Sequence, residues 1–187
     1  QQAGYTVQDG VMANADGDAF TFEILLETGS SENQSMIDIY VQSLSRLGIT
    51  PTITAIDGAQ YSERTDTYDF GMTYFRRGLS LSPGNEQYLY WGIEAADVTG
   101  GRNMMGVKSE AIDAMINLLL TSTSQDDFLA ATQGLDRLLT SGRYVIPIYQ
   151  WNISRIAHDK NLHYPDTMPI IGDWPGWQTD VWWYAQD

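Results

Sequence analysis

The apolar residues of residues 20–75 change period, and this narrows the possible folds more than any other feature of the chain. Phe20, Phe22, Ile24 and Leu26 alternate, a spacing that puts their side chains on one face of a strand. Ile37, Tyr40, Val41, Leu44 and Leu47 then recur at helical spacing, which makes a stripe that must be buried. Ser31 and Gln34 stand before that stripe as a capping box, and Gly48 stands where a helix-terminating glycine belongs. Residues 49–56 read as a second strand with Pro51 near its start, 59–65 as a short helix behind Asp57, and 69–75 as a third strand. Strand, helix, strand, helix and strand within about 55 residues is an α/β signature. Right-handed crossovers make the first two strands parallel.

The flanking segments read differently. Upstream, Val11-Met12 and the run from Phe20 enclose Asn14-Ala15-Asp16-Gly17-Asp18, where Asp-Gly predicts a hairpin turn. The alternating Asn14, Asp16 and Asp18 resemble a calcium loop, but its twelfth position falls on Leu25 rather than a glutamate, so the turn is the reading kept. Downstream, residues 76–106 carry many glycines and few periodic apolar residues; a connection this long is functional or packed on another body. Two amphipathic helices follow as an αα-hairpin. Ile112, Met115, Ile116 and Leu119 form one face behind Ser109; Phe128, Ala131, Leu135, Leu138 and Leu139 form the other, capped by Ser124 and stopped by Gly142. Residues 144–150 read as an edge or crossing strand interrupted by Pro147. Trp174, Trp177, Trp182 and Trp183 crowd the end of the chain, and tryptophans in such number call for a packing partner or an association surface.

Composition excludes several functions. The 187 residues hold 24 acidic and 10 basic side chains, a formal net charge of −14, which repels nucleic-acid backbones and anionic membranes. No apolar run reaches the ~20 residues needed to span a bilayer. There is no cysteine, hence no disulfide, thiolate nucleophile or cysteine-ligated metal. His158 and His163 fit no zinc template, Gly100-Gly101-Arg102-Asn103 does not match the Walker spacing, and there is no G-x-S-x-G elbow. No metal, cofactor or catalytic residue is therefore assigned. Gln1 in place of Met, without a basic and apolar leader, reads as a processed start or as a piece of a longer protein. Against this acidic background Arg76-Arg77 stands out directly after the third strand. Ligands of open α/β sheets bind beyond the carboxyl ends of the strands, and a guanidinium takes an anion bidentately.

An ordered set of motifs resembles the family 5 extracellular solute-binding proteins, the oligopeptide- and dipeptide-binding subunits of ABC importers, and within them the Yej-type branch associated with oligopeptide and microcin C uptake. The motifs are Ala3-Gly4-Tyr5-Thr6-Val7-Gln8-Asp9-Gly10, Phe20-Thr21-Phe22-Glu23-Ile24-Leu25, Leu47-Gly48-Ile49, Asp57-Gly58-Ala59-Gln60-Tyr61, Tyr68-Asp69-Phe70, Leu79-Ser80-Leu81-Ser82-Pro83-Gly84-Asn85-Glu86-Gln87, Gly101-Arg102-Asn103, Gly106-Val107, Leu135-Asp136-Arg137-Leu138-Leu139 and Trp182-Trp183. The resemblance implies a type II periplasmic-binding-protein-like C-terminal lobe, α/β with a mixed sheet flanked by helices and an αα-hairpin. Residues 1–143 would form the second-lobe unit, and 144–187 would be return segments packing on a first lobe. It implies a periplasmic, non-enzymatic, cofactor-free binder that closes on a peptide or peptide-like ligand and delivers it to a membrane permease, with no nucleic-acid partner and no membrane insertion. The cleft positions it implies are Arg76, Arg77, Ser80, Ser82, Asn85, Arg102 and Asn103. Oligopeptide binders carry an aspartate for the peptide amine after the third strand; Arg77-Gly78-Leu79-Ser80 has no acid there, so that contact does not carry over. Two other readings stay open: an α/β hydrolase-like enzyme, and a stable fragment acting as a protein-interaction domain.

Overall fold

In the computed structural model, residues 3–78, 82–150, 155–167 and 181–185 are described. The chain divides into two units, one of Gln1–Leu79 and Pro83–Tyr144, the other of Ser80–Ser82 and Val145–Asp187.

The first unit opens on β1 (Thr6–Gln8) and β2 (Val11–Ala13), an antiparallel pair. The hairpin turn is at Asp9-Gly10, both with positive φ (48° and 83°), as a two-residue Asp-Gly turn of the primed type requires. The expected Asp16-Gly17 turn is present, but it closes only an isolated bridge between Ala13 and Ala19. The Asn14 side chain holds it by accepting from the backbone of Asp16 and Asp18 at 3.0 and 2.8 Å.

A three-stranded sheet follows in the order β4–β3–β5, comprising β3 (Glu23–Glu27), β4 (Thr52–Ile56) and β5 (Met72–Thr73), with β3 parallel to both neighbours. The parallel pairing is the one the crossover argument expects. The period-two pattern, however, anticipates a half-buried strand, whereas Ile24, Leu25 and Leu26 are all buried in succession. A central parallel strand is covered on both faces, so alternation gives way to continuous burial. α1 (Ser31–Ser45) connects β3 to β4 and brings Ile37 against Ile24 and Leu26, with Phe22, Tyr40, Val41, Ile53, Met72 and Tyr74 around them. Its cap is Ser30 rather than Ser31, accepting from the backbone N–H of Asn33. Beyond the helix Gly48 has φ 75° and lies so close to the β-hairpin that an added Cβ would stand 2.6 Å from the Gly10 carbonyl oxygen.

α2 (Gly58–Asp66), capped by Asp57, connects β4 to β5. It is tied to the sheet by Arg64, which bonds Glu23 of β3 with both terminal nitrogens (2.6 and 3.2 Å) and reaches Asp69 with Nε. The Arg64 hydrogen bonds hold the Glu23 carboxyl below its ordinary range.

The connection at 76–106 contains structure that the sequence pattern does not announce: α3 (Glu86–Trp91), followed by a 3-10 turn at Ile93–Ala95. The αα-hairpin is as expected. α4 (Glu110–Thr121) and α5 (Gln125–Gly142) carry side-chain caps at Ser109 and Ser124 and bury Ile112, Ile116, Leu119, Ala131 and Leu135 with Val107. α5 incorporates Gly142, and it is Arg143 that takes the left-handed conformation at its end (φ 53°).

Residues 144–150 form no strand, contrary to expectation. Among the described residues of the second unit, β6 (Leu162–His163) and β7 (Trp183–Tyr184) form an antiparallel pair. Trp182 packs at 4.7 Å from the Tyr164 ring and 5.2 Å from that of His158, and Trp183 stacks on His163. Trp174 and Trp177 lie outside the described residues.

Two outcomes follow. Gly48→Ala forces a side chain into the left-handed region, at about 1–2 kcal/mol, and against backbone as well; urea unfolding should show a loss of at least that size. Glu23, with its pKa lowered in the fold, adds stability above its unfolded value near 4.3, and that stability is lost as pH falls through the folded value. Glu23→Gln removes this contribution, so the variant should be less stable at neutral pH, with the difference from the parent shrinking in denaturation curves taken toward pH 3.

Candidate functional site

The site begins where β5 ends. Thr73 Oγ1 donates to the Leu25 carbonyl at 3.0 Å, while the Tyr61 hydroxyl from α2 lies 2.8 Å from Thr73 Oγ1 and 2.9 Å from the Tyr74 carbonyl. These bonds fix the exit of β5, and the chain leaves the sheet as Phe75-Arg76-Arg77 beyond the carboxyl end of a parallel strand.

Arg76 and Arg77 diverge in environment. Arg76 is exposed. Arg77 is half-buried, with its guanidinium carbon 4.0 Å from the centre of the Tyr90 ring, 5.4 Å from Trp91 and 5.7 Å from Phe75. Stacking on aromatic faces stabilises a partly desolvated guanidinium. Burial pulls the Arg77 pKa below the usual arginine value, the Tyr90 hydroxyl opposes that, and the nearby Arg102 charge adds to it; an arginine remains charged at any physiological pH. One terminal nitrogen donates to the Arg102 carbonyl at 3.2 Å.

Arg102 follows a tightly turned segment. Tyr68 donates its hydroxyl to the Val98 carbonyl at 2.7 Å, and the Gly101 N–H bonds the same carbonyl. Gly101 is needed there, since a Cβ would stand 2.6 Å from that oxygen and 2.8 Å from the Tyr68 hydroxyl. The Arg102 side chain is exposed, with its guanidinium carbon 6.0 Å from the centre of the same Tyr90 ring. Arg102 also borders an open groove of about 540 Å³, where Tyr88, Leu89 and Val98 present apolar surface.

Asn103 is placed differently from the cleft position that the resemblance implies. It is fully buried: its amide nitrogen donates to the carbonyls of Gly92 and Val107 at 3.0 and 2.9 Å, and its oxygen accepts from the Val107 N–H at 2.9 Å. A side chain with its donors spent on backbone staples the loop and has no donor left for a ligand. Asn85 is exposed at the start of α3, without a side-chain capping bond. Ser82 is exposed and belongs to the second unit. Ser80 lies outside the described residues.

The structure thus brings Arg77 and Arg102 around one ring, and that ring is the part of the site that sequence reasoning missed. The signal was present in Tyr88-Leu89-Tyr90-Trp91, an aromatic run inside a segment whose glycines drew the attention.

No protein-family model matches the chain. Two curated relatives from Agrobacterium fabrum do, over nearly its whole length. One is the peptidoglycan-binding protein YepA, 36% identical over 186 residues, which cover 100% of this chain. The other is the "probable peptide-binding protein YejA", 35% identical over 185 residues, which cover 98%. The chain spans only 29% of the length of each. Among solved structures, the oligopeptide-binding protein AppA of Bacillus subtilis, in complex with a nonapeptide, superposes on 99% of this chain with a TM-score of 0.71, at 16% identity and over 36% of its own length. That likeness shows a periplasmic-binding-protein fold. In sequence the chain is thus similar to a segment of larger proteins named for binding rather than for catalysis, and in fold to a part of periplasmic binding proteins.

Asn103→Ala should cost about 3 kcal/mol, because it leaves the N–H and carbonyl of Val107 without their partner and removes one of the two bonds to the Gly92 carbonyl; the measurement is chemical denaturation of the variant beside its parent.

Proposed function

We propose that this chain is the C-terminal part of the substrate-binding subunit of an ABC importer, which holds peptides or peptide-like solutes between two lobes in the periplasm and passes them to a membrane permease. One observation carries this reading: the chain is similar from end to end to relatives named for binding peptide and peptidoglycan. A cationic, aromatic group beyond the carboxyl end of a parallel strand, where α/β folds bind ligands, agrees with it. Binding without chemistry needs donors, charge and a hinge, and no nucleophile or metal.

In this reading Arg76, Arg77, Ser80, Ser82, Asn85 and Arg102 face the ligand, and Asn103 holds the loop that presents Arg102. Residues 144–187 are assigned to packing on a part of the protein outside this chain. The support is the exposure of Val145, Ile146, Ile148 and Tyr149, between 43% and 52%, which is a large apolar stretch to leave in water.

Isothermal titration of the full-length protein with a mixed tri- to pentapeptide library tests the proposal. Saturable binding at one site is expected, with a negative heat-capacity change from buried apolar surface and a smaller radius of gyration in solution scattering as the lobes close. Retention of no peptide, with unchanged scattering, would overturn it.

A further inference from the structure

We infer that Asp9 is a site of spontaneous covalent modification: its side-chain carboxyl closes onto the backbone nitrogen of Gly10 to form a succinimide, which hydrolyses to isoaspartate, and the folded chain does this at Asp9 ahead of its other Asp-Gly pairs. The inference is independent of the peptide-binding reading.

The sequence holds three Asp-Gly pairs, Asp9-Gly10, Asp16-Gly17 and Asp57-Gly58, and no Asn-Gly pair. A glycine without a side chain leaves its amide nitrogen sterically open, so sequence alone does not rank the three. In the first step the glycine nitrogen attacks the aspartate Cγ. One N–C bond forms, and the carboxyl hydroxyl leaves with the amide proton as water. In the second step water opens one of the two ring carbonyls. Opening at the α-carbonyl leaves the main chain running through the side-chain carbonyl, which is isoaspartate, at the starting mass. The first step needs an amide that is not already bonded, a carboxyl free to take a proton, and a backbone that accepts the ring.

The fold separates the pairs on each of these. The Asp57 carboxylate is engaged: one oxygen accepts from the N–H groups of Ala59 and Gln60 at 3.0 and 3.1 Å, and the other from the Gln60 side chain at 2.6 Å. These bonds, the Gln60 N–H foremost, hold its pKa below the usual carboxylate value, and an ionised carboxylate is a poor electrophile. At Asp16-Gly17 the amide is engaged, since the Gly17 N–H donates to the Asn14 carbonyl at 3.2 Å. Asp9 and Gly10 are both exposed, and among the described residues neither the Asp9 carboxyl nor the Gly10 N–H makes a hydrogen bond.

Backbone conformation points the same way. Asp9 has a positive φ of 48°, Asp16 does not, and Asp57 has φ −68°. A succinimide fixes ψ of its aspartate and suits the first central position of a type II′ turn, where φ is positive. Types I′ and II′ both close two-residue hairpins. They differ by a flip of the peptide between the two central residues, which glycine permits. The ring therefore fits the corner with the β1–β2 pairing kept. Isoaspartate fits less well, because it lengthens the main chain by one methylene in a corner whose Gly10 carbonyl lies against Gly48.

The test is peptide mapping of the full-length protein, held for weeks at mildly acidic pH either folded or unfolded in guanidinium. In the folded protein residue 9 should be modified severalfold faster than residues 16 and 57. The readouts are a peptide lighter by one water and a peptide of unchanged mass that elutes separately and resists endoproteinase Asp-N. In guanidinium the three sites should react at similar rates. Asp9→Asn, which keeps a residue suited to this turn, should retain the melting temperature and lose its amide in the folded protein, seen as a gain of negative charge. Residue 16 or 57 reacting as fast as residue 9 in the folded protein overturns the inference. So does a folded protein unmodified at residue 9 while the unfolded one reacts, the same ranking of sites in both states, or a folded Asp9→Asn protein that keeps its amide.

Discussion

The buried amide of Asn103 is the interaction on which the candidate site depends. It joins the end of α3, through the Gly92 carbonyl, to the start of the αα-hairpin core, through both backbone groups of Val107. Burying a polar side chain is costly unless its hydrogen bonds are made, and here all three are made to backbone groups of Gly92 and Val107. The consequence lies one residue away. With Asn103 pinned in the core, Arg102 must point outward, and its carbonyl is presented to Arg77.

The other half of the site depends on the sheet. β3 is parallel to both neighbours and buried on both faces, so its registers with β4 and β5 are set by packing. The hydroxyls of Tyr61 and Thr73 then lock the end of β5. Residues 75–77 leave a rigid element, and α3, braced by Trp91 against the helical core, meets them. The site is assembled where two separately packed cores each deliver one short segment, an arrangement that keeps a binding group preorganised while its loops stay short of regular structure.

Within one chain, basic residues take two different roles. Arg64 is a structural tie with carboxylates on two sides, and the Glu23 it holds is shifted accordingly. Arg77 is a cation kept by aromatic faces, with burial acting against its charge.

Local patterns in the sequence determined the α/β class, the parallel pairing of the first two strands, the caps at Asp57, Ser109 and Ser124, and the αα-hairpin, since each depends on residues close together in the chain whose periodicity or side-chain chemistry acts over one or two turns. The ordered motifs also carried the resemblance that the relatives support. Three things depended on tertiary structure. β3 is buried on both faces because it became the central strand, and no alternation within the strand records its neighbours. Asn103 reads as an exposed polar residue in a glycine-rich loop, yet it is buried because its partners lie at Gly92 and Val107, across a turn the pattern does not show. Arg77 and Arg102, 25 positions apart, share the Tyr90 ring only because the sheet edge and the helical core fold toward each other; a meeting of side chains across that distance is decided by packing.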